Sequence, residues 1–257
     1  MANADPPIDS VHRAFVLLKA LRDGEVLSVT DAAARLGVVP STAYRLLCAL
    51  CFDGFAEQDR DRRYRAGPQL RTAEPVHGSV EELRQHVHPV VEELCSLVGE
   101  TVHVWVRQGA LLRLVDGVPG TRPRHVSSDQ WDRVPAHTSA AGKALLSELN
   151  NRQLDLVFSG GLLPSRSTRI ITLQALKRHL ATVRRRGYAL NLEETAQGVD
   201  GVGAVARDGQ GRPVLAMSLA IPSIRFERAM VPEYVDLLTD AIRATEGLLA
   251  TRGGRAR

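Results

Sequence analysis

The chain has 257 residues, 44% of them hydrophobic, and a formal net charge of +4. Domains run to about 100–200 residues, so one large or two unequal domains are expected. No apolar run approaches the ~18–20 residues that a membrane span needs, and Met1 to Pro7 lacks the positive head and apolar core of a signal peptide, so a cytoplasmic protein with no membrane partner is expected. The positive charge is not concentrated in one half. Residues 1–72 carry +1, and Arg252, Arg255 and Arg257 supply the whole +3 of the remainder. Affinity for a polyanion must therefore come from local placement of charge. Three cysteines cannot all pair internally, which suits a reducing compartment.

Ile8 to Arg22 reads as a helix, with Ser10 as a plausible cap, Val11, Ala14, Phe15, Leu18 and Leu21 on one apolar stripe, and Gly24 as its stop. Ser28 to Phe52 reads as two short helices around a tight turn. Thr30 is a good N-cap, Asp31 sits where the helix dipole favours a negative charge, and Gly37 can take positive φ to end the first helix. The second starts near Pro40. Ala43, Leu46, Leu47 and Leu50 recur at helical spacing and face a core, which leaves Ser41, Thr42, Tyr44, Arg45 and Cys48 outside or along the margins. Short polar side chains, an aromatic and an arginine at the start of a second helix suit contacts to phosphates and base edges in a major groove. Cys48 and Cys51 form a C-x-x-C inside this helix rather than ahead of it, so they read as small core-margin residues and not as a redox pair.

Phe55 to Ala66 is expected to be a β-hairpin with a charged tip from Asp59 to Arg63. Three helices and a hairpin make a winged helix-turn-helix over residues 8–72, and Arg60, Arg62, Arg63 and Arg65 suit phosphate or minor-groove contacts. Gly67 to Ser79 reads as a hinge. Val80, Leu83, Val87, Val90, Leu94 and Leu97 follow a heptad rhythm that Pro89 interrupts, so a kink or two abutting helices are expected, packed on a partner subunit or on the next domain. Residues 73–98 form this linker and first helix.

From Glu100 the period becomes that of a strand. Thr101 to Arg107 alternates, Gln108-Gly109 turns, and Ala110 to Val115 returns; residues 117–135 look irregular. Ala136 to Leu149 reads as a helix capped near His137 to Ser139, followed by helices over 152–158 and 172–186, the latter ending in Arg184 to Arg186 and Gly187. Tyr188 to Leu192 reads as a strand, Val202 to Arg207 and Val214 to Ile221 as a hairpin around Asp208 to Gly211, and the last helix reaches Leu249. Strands in adjacent pairs with helices at both ends indicate an α+β domain with an antiparallel sheet over 99–250, and 251–257 reads as a disordered basic tail.

The two halves together resemble the IclR family of bacterial transcription regulators. The N-terminal match is Ala32-Ala33 to Gly37, Ser41 to Leu47, Leu50 and Gly54. The C-terminal match is His137-Thr-Ser-Ala-Ala-Gly-Lys-Ala-Leu-Leu146, Arg186-Gly187-Tyr188, Glu193-Glu194, Gly198, and Asp208-x-x-Gly211 leading to Ala216-Met-Ser-Leu219. The resemblance implies a winged-helix domain, a linker helix and a GAF-like effector domain, acting as a homodimer or tetramer on palindromic double-stranded operators, as repressor or activator. It also implies a small organic effector held by Val134, Ala140, Ala141, Asn191, Gly201, Ser218 and Ala220. A start of helix at Ser139-Ala140-Ala141 agrees, since its backbone N–H groups and positive dipole end suit a carboxylate. A family member specific for small keto acids has an acidic residue at Asn191, cysteine at Gly201 and serine at Ala220, so the effector expected here is larger or more apolar, an aromatic among the candidates. Glu74 to Gly78 departs from a stretch that is commonly helical in the family. The other reading that the residues leave open is a DNA-binding module whose second domain only oligomerises.

Neither catalysis nor a cofactor is expected. Ser139 stands near His137, but no G-x-S-x-G elbow surrounds it. Gly142-Lys143 lacks the upstream glycine of a P-loop, and Ala144 replaces its hydroxyl residue. His103, His125, His137 and Cys95 show no zinc-finger or i,i+4 spacing, so no metal site is expected.

Overall fold

The computed structural model describes residues 8–70, 80–127, 131–159, 161–163, 165 and 170–253. The stretch Glu74 to Gly78 and the basic tail from 254 lie outside these residues. The chain divides into two compact units, Met1–Ala73 with Asp155–Gly160, and Glu74–Leu154 with Gly161–Arg257.

The first unit holds α1 (Asp9–Arg22), α2 (Val29–Leu36), α3 (Pro40–Phe52), β1 (Ala56–Gln58) and β2 (Tyr64–Ala66). Leu17, Leu21, Ala32, Ala43, Leu47 and Tyr64 are fully buried at its centre. Backbone hydrogen bonds between Leu27 and Tyr64 in both directions, 2.8 and 2.7 Å, add the chain before α2 to the β1–β2 hairpin. Ser28, not Thr30, caps α2. The Ser28 hydroxyl accepts from the Asp31 N–H at 3.1 Å while the Asp31 carboxylate accepts from the Ser28 N–H at 2.8 Å, a reciprocal capping box. Those bonds hold the Asp31 carboxyl below its ordinary range. Gly37 ends α2 at φ +62 and turns the chain into α3.

The expected stripe on α1 is only partly inward. Leu17, Ala20 and Leu21 are buried, whereas Phe15 is 54% and Val11 45% exposed, and Ser10 lies inside the helix, whose uncapped start is Ile8. Cys48 and Cys51 form no disulfide and are both buried, a deeper position than the helix margin.

The second unit is a six-stranded antiparallel sheet in the order β5-β4-β3-β8-β7-β6. Its strands are β3 (Thr101–Gln108), β4 (Leu111–Val118), β5 (Arg133–Pro135), β6 (Ala189–Leu192), β7 (Val199–Arg207) and β8 (Pro213–Pro222). β5 lies inside the stretch expected to be irregular; three residues are too short to show a period. The helices are α4 (Val80–Val98), α5 (Ala140–Ser147), α7 (Leu173–Arg186), α8 (Val231–Gly253) and the beginning of α6 (Asn151–Val157), whose residues from Asp155 belong to the first unit. α4 and α8 pack on one face, around Val102, Val104, Met217, Leu219 and Ile221. α5 covers the other face and α7 packs on α5. The alternation in β3 therefore separates two covered faces, and residues Thr101–Trp105 are all buried.

α4 is continuous through Pro89, without the expected break. Leu83, Val87, Val91, Leu94 and Val98 face the sheet, so the helix caps its own domain, and Leu97 is left exposed. A polar clamp fixes α4 beside β4. Asp116, itself buried, accepts from His88 Nδ1 at 2.7 Å, Arg84 Nε at 3.2 Å and the Gly117 N–H at 3.0 Å, and His88 Nε2 lies 3.3 Å from Glu92. The bond to Asp116 raises His88 above its ordinary value of 6.5, against burial and Arg84. A raised folded value means stability that is complete below the unfolded value and lost as pH climbs through the folded one. The melting temperature of the wild type relative to His88→Gln is therefore expected to fall as pH rises above the ordinary histidine value of 6.5; a difference that does not change with pH would show that the clamp carries no proton linkage.

Candidate nucleic-acid interface and effector cavity

On α3 the helical period turns Ala43, Leu47 and Leu50 inward and leaves Ser41, Tyr44 and Arg45 exposed, with Thr42 half-buried beside them. Tyr44 hydrogen-bonds the Cys48 thiol one turn on, so its hydroxyl is turned along the helix. Arg45 makes no ion pair among the described residues. The wing turn is built by Asp59, whose carboxylate accepts from the N–H groups of Asp61 and Arg63 at 2.9 Å each. Arg60 and Arg62 project at this tip, Arg62 with φ +66. Arg63 differs from expectation: its guanidinium folds back, donating to the Val26 carbonyl at 2.9 Å and lying 3.6 Å from Asp31. Arg65 sits 4.0 Å from Glu57. The wing thus offers two tip arginines, and spacing alone could not show that a third secures the hairpin to the α2 start.

In the second unit, the sheet register assembles a cavity. Asn191, Gly201, Ala220 and Thr101 stand in one row across β6, β7, β8 and β3, and Gly203, Ser218 and His103 stand in the next. The start of α5 lies over these rows. Gly203 makes this approach possible, because a Cβ there would come 2.6 Å from the Ala141 nitrogen. Gly142 is as constrained, since its Cβ would lie 2.1 Å from the Ala136 carbonyl oxygen. Ser139 caps α5 by accepting from the Gly142 N–H at 3.0 Å, a structural use for the hydroxyl that stood near His137.

The cavity has about 40 Å³ of room for water-sized centres. Six of the seven expected residues line it: Val134, Ala140, Asn191, Gly201, Ser218 and Ala220. Ala141 does not; it is fully buried against Gly203. His103, Trp105 and Trp131 also line it, with the His103 and Trp105 rings 5.5 Å apart. Periodicity pointed these rings at one face of a strand but could not say that the face encloses a space. The β6–β7 loop supplies Thr195, and the start of β7 supplies Val199 and Asp200. Asn191 braces that loop: its carboxamide oxygen accepts from the N–H groups of Glu194 at 2.9 Å and Thr195 at 3.3 Å, and its NH2 donates to the Val199 carbonyl at 3.3 Å. Thr195 donates to the Thr138 carbonyl at 3.0 Å.

Behind the α5 start, Lys143 is completely buried and its Nζ lies 2.6 Å from both carboxylate oxygens of Glu194. Burial pulls the Lys143 ammonium below its ordinary value, against the attraction of Glu194. Burial and the Lys143 charge also bring His137 and His179 down to about 4. Both imidazoles are therefore neutral around this pair at physiological pH, and the Gly142-Lys143 motif holds a loop in place rather than a phosphate.

The model of the IclR helix-turn-helix domain matches residues 10–60, and that of the bacterial transcriptional regulator IclR C-terminal domain matches residues 78–246. The chain belongs to the IclR family of bacterial transcription regulators. It is 34% identical to the HTH-type transcriptional regulator Rv1719 of Mycobacterium tuberculosis, over 85% of this chain and 84% of that one. The crystal structure of the Thermotoga maritima IclR superposes with TM-score 0.60 at 25% identity, covering 94% of this chain and 98% of that one. An IclR homologue from Microbacterium hydrocarbonoxydans complexed with 4-hydroxybenzoate superposes with TM-score 0.58 at 24% identity, over 93% and 98% of the two chains. As an IclR-family chain it is a DNA-binding regulator and not an enzyme. Among the described residues no cluster of three His, Cys, Asp or Glu could hold a metal ion.

The Gly203 contact sets the height of α5 over the sheet. Gly203→Ala is expected to cost about 1–3 kcal/mol of stability, as an overpacked core does, read as a lower denaturant midpoint. An unchanged midpoint would show that α5 can slide without loss.

Proposed function

We propose that this IclR-family regulator reads an operator through α3 and the wing, and senses a small organic effector in the cavity under α5. On the DNA side, Ser41, Thr42 and Arg45 meet the major groove, and Arg60 and Arg62 meet phosphates. A homodimer on a palindromic operator is part of this reading; the exposed Ile8, Val11 and Phe15 on one side of α1 support a second copy as its cover. The protein acts in the cytoplasm.

The observation that carries the effector reading is the cavity wall. Trp105, Trp131 and His103 make it aromatic, Ser218 adds a hydroxyl, and the start of α5 adds a positive dipole end. An aromatic or otherwise apolar carboxylate fits these features, and the 4-hydroxybenzoate bound by the Microbacterium homologue is of that class. The cavity is narrow, so a ligand of aromatic size requires it to widen, and the braced β6–β7 loop is the part we assign to move.

Two measurements test this. The operator is recovered by selecting a random duplex pool with the purified chain. Arg45→Ala should then weaken operator binding by about 1–3 kcal/mol, and Arg60→Ala should lower the slope of log affinity against log salt by about 1. Unchanged affinity would remove Arg45 from the interface, and a recovered site without two-fold symmetry would remove the dimer. For the effector, the chain has two tryptophans and both line the cavity, so intrinsic fluorescence reports on it directly. A saturable change with 4-hydroxybenzoate or a related aromatic acid is expected, with the acid and the operator altering each other's affinity by the same factor. No response across a panel of aromatic and aliphatic carboxylates would favour a second domain that only oligomerises.

A further inference from the structure

The recognition helix begins on an unusual residue. α2, α5 and α7 start at Ser28, Ser139 and Thr172, each of which accepts a first-turn N–H. α3 starts at Val39, which offers no capping oxygen, as Ile8 does in α1. Valine is among the poorest N-cap residues, and serine or asparagine there would strengthen the helix. Val39 also packs on little: it is 63% exposed, next to exposed Ser41. Its burial therefore does not explain why an apolar side chain occupies the position.

In a helix-turn-helix the N-terminal residues of the second helix contact base edges. An exposed branched side chain at that tip has one apolar partner in the major groove, the C5-methyl of thymine. We propose that Val39 reads a thymine methyl in the operator, a contact that specifies sequence through an apolar group rather than a hydrogen bond. The inference rests on the reading that α3 enters the major groove of an operator.

The test replaces each thymine of the selected operator by deoxyuridine, which removes only that methyl group. Wild-type chain should lose about fourfold in affinity at one thymine of the site, the worth of one buried carbon group. Val39→Ala and Val39→Ser should bind the thymine and uracil versions of that position alike, and Val39→Ser keeps the helix start capped, so that a loss of folding cannot imitate the result. If no thymine is sensitive, or if the sensitivity persists in both variants, Val39 is not the reader. A chain that selects no sequence at all would instead overturn the operator reading, and Val39 with it.

Discussion

The close approach of α5 to the sheet is the constraint on which the second unit depends. Gly203 brings the backbone of Ala140 and Ala141 onto β7, and Gly142 lets the 3-10 turn at Ala136–Thr138 fold against the same helix. Once α5 is that low, Lys143 has no route to water and must find a partner inside. Glu194 supplies it from the β6–β7 loop at 2.6 Å. Removing one member of such a pair costs about 3–5 kcal/mol, because the other is left charged and dry. The pair is thus weak evidence for stability in itself but a strong tie of loop to helix. Asn191 and Thr195 add hydrogen bonds to the same loop. Helix height, buried charge and cavity wall are one coupled arrangement.

The sheet divides its residues by parity. In β8, Leu215, Met217, Leu219 and Ile221 enter the core under α4 and α8, while Ser218 and Ala220 face α5. In β3, Val102 and Val104 take the core and His103 and Trp105 the cavity. A one-residue slip would exchange the two sets, putting serine and histidine into the core. The same register that packs the core therefore also defines the cavity.

How much of this could be read in the chain follows from the range of each interaction. The winged helix rests on local signals, namely the cap before α2, Gly37, Pro40 and the charged hairpin tip, and these act within a few residues. The antiparallel pairs of the second unit follow from period and turns, and the resemblance placed six residues that the structure brings together around one cavity. What escaped depends on tertiary geometry. Arg63 looks like its wing neighbours until Val26 and Asp31 are seen beside it. Ala141 differs from Ala140 only by one helical step, which turns it onto Gly203. Trp131 precedes a three-residue strand with no period to announce it. The α1 stripe reads as a buried face, yet the three helices are too few to cover Phe15.

The small cavity also bounds how an effector could work. A ligand shifts a conformational equilibrium only by its differential affinity for the two states. If the narrow cavity described here dominates without ligand, the apparent affinity is reduced to the extent of the fraction of chains in which it is widened. The bonds of Asn191, Thr195 and Lys143 set that fraction. A tightly braced loop thus trades affinity for contrast between states: weakening the brace would make the effector bind more strongly while leaving less of a change for it to cause. On the proposed reading, the regulator's sensitivity would be set as much by residues behind the cavity as by those that touch its contents.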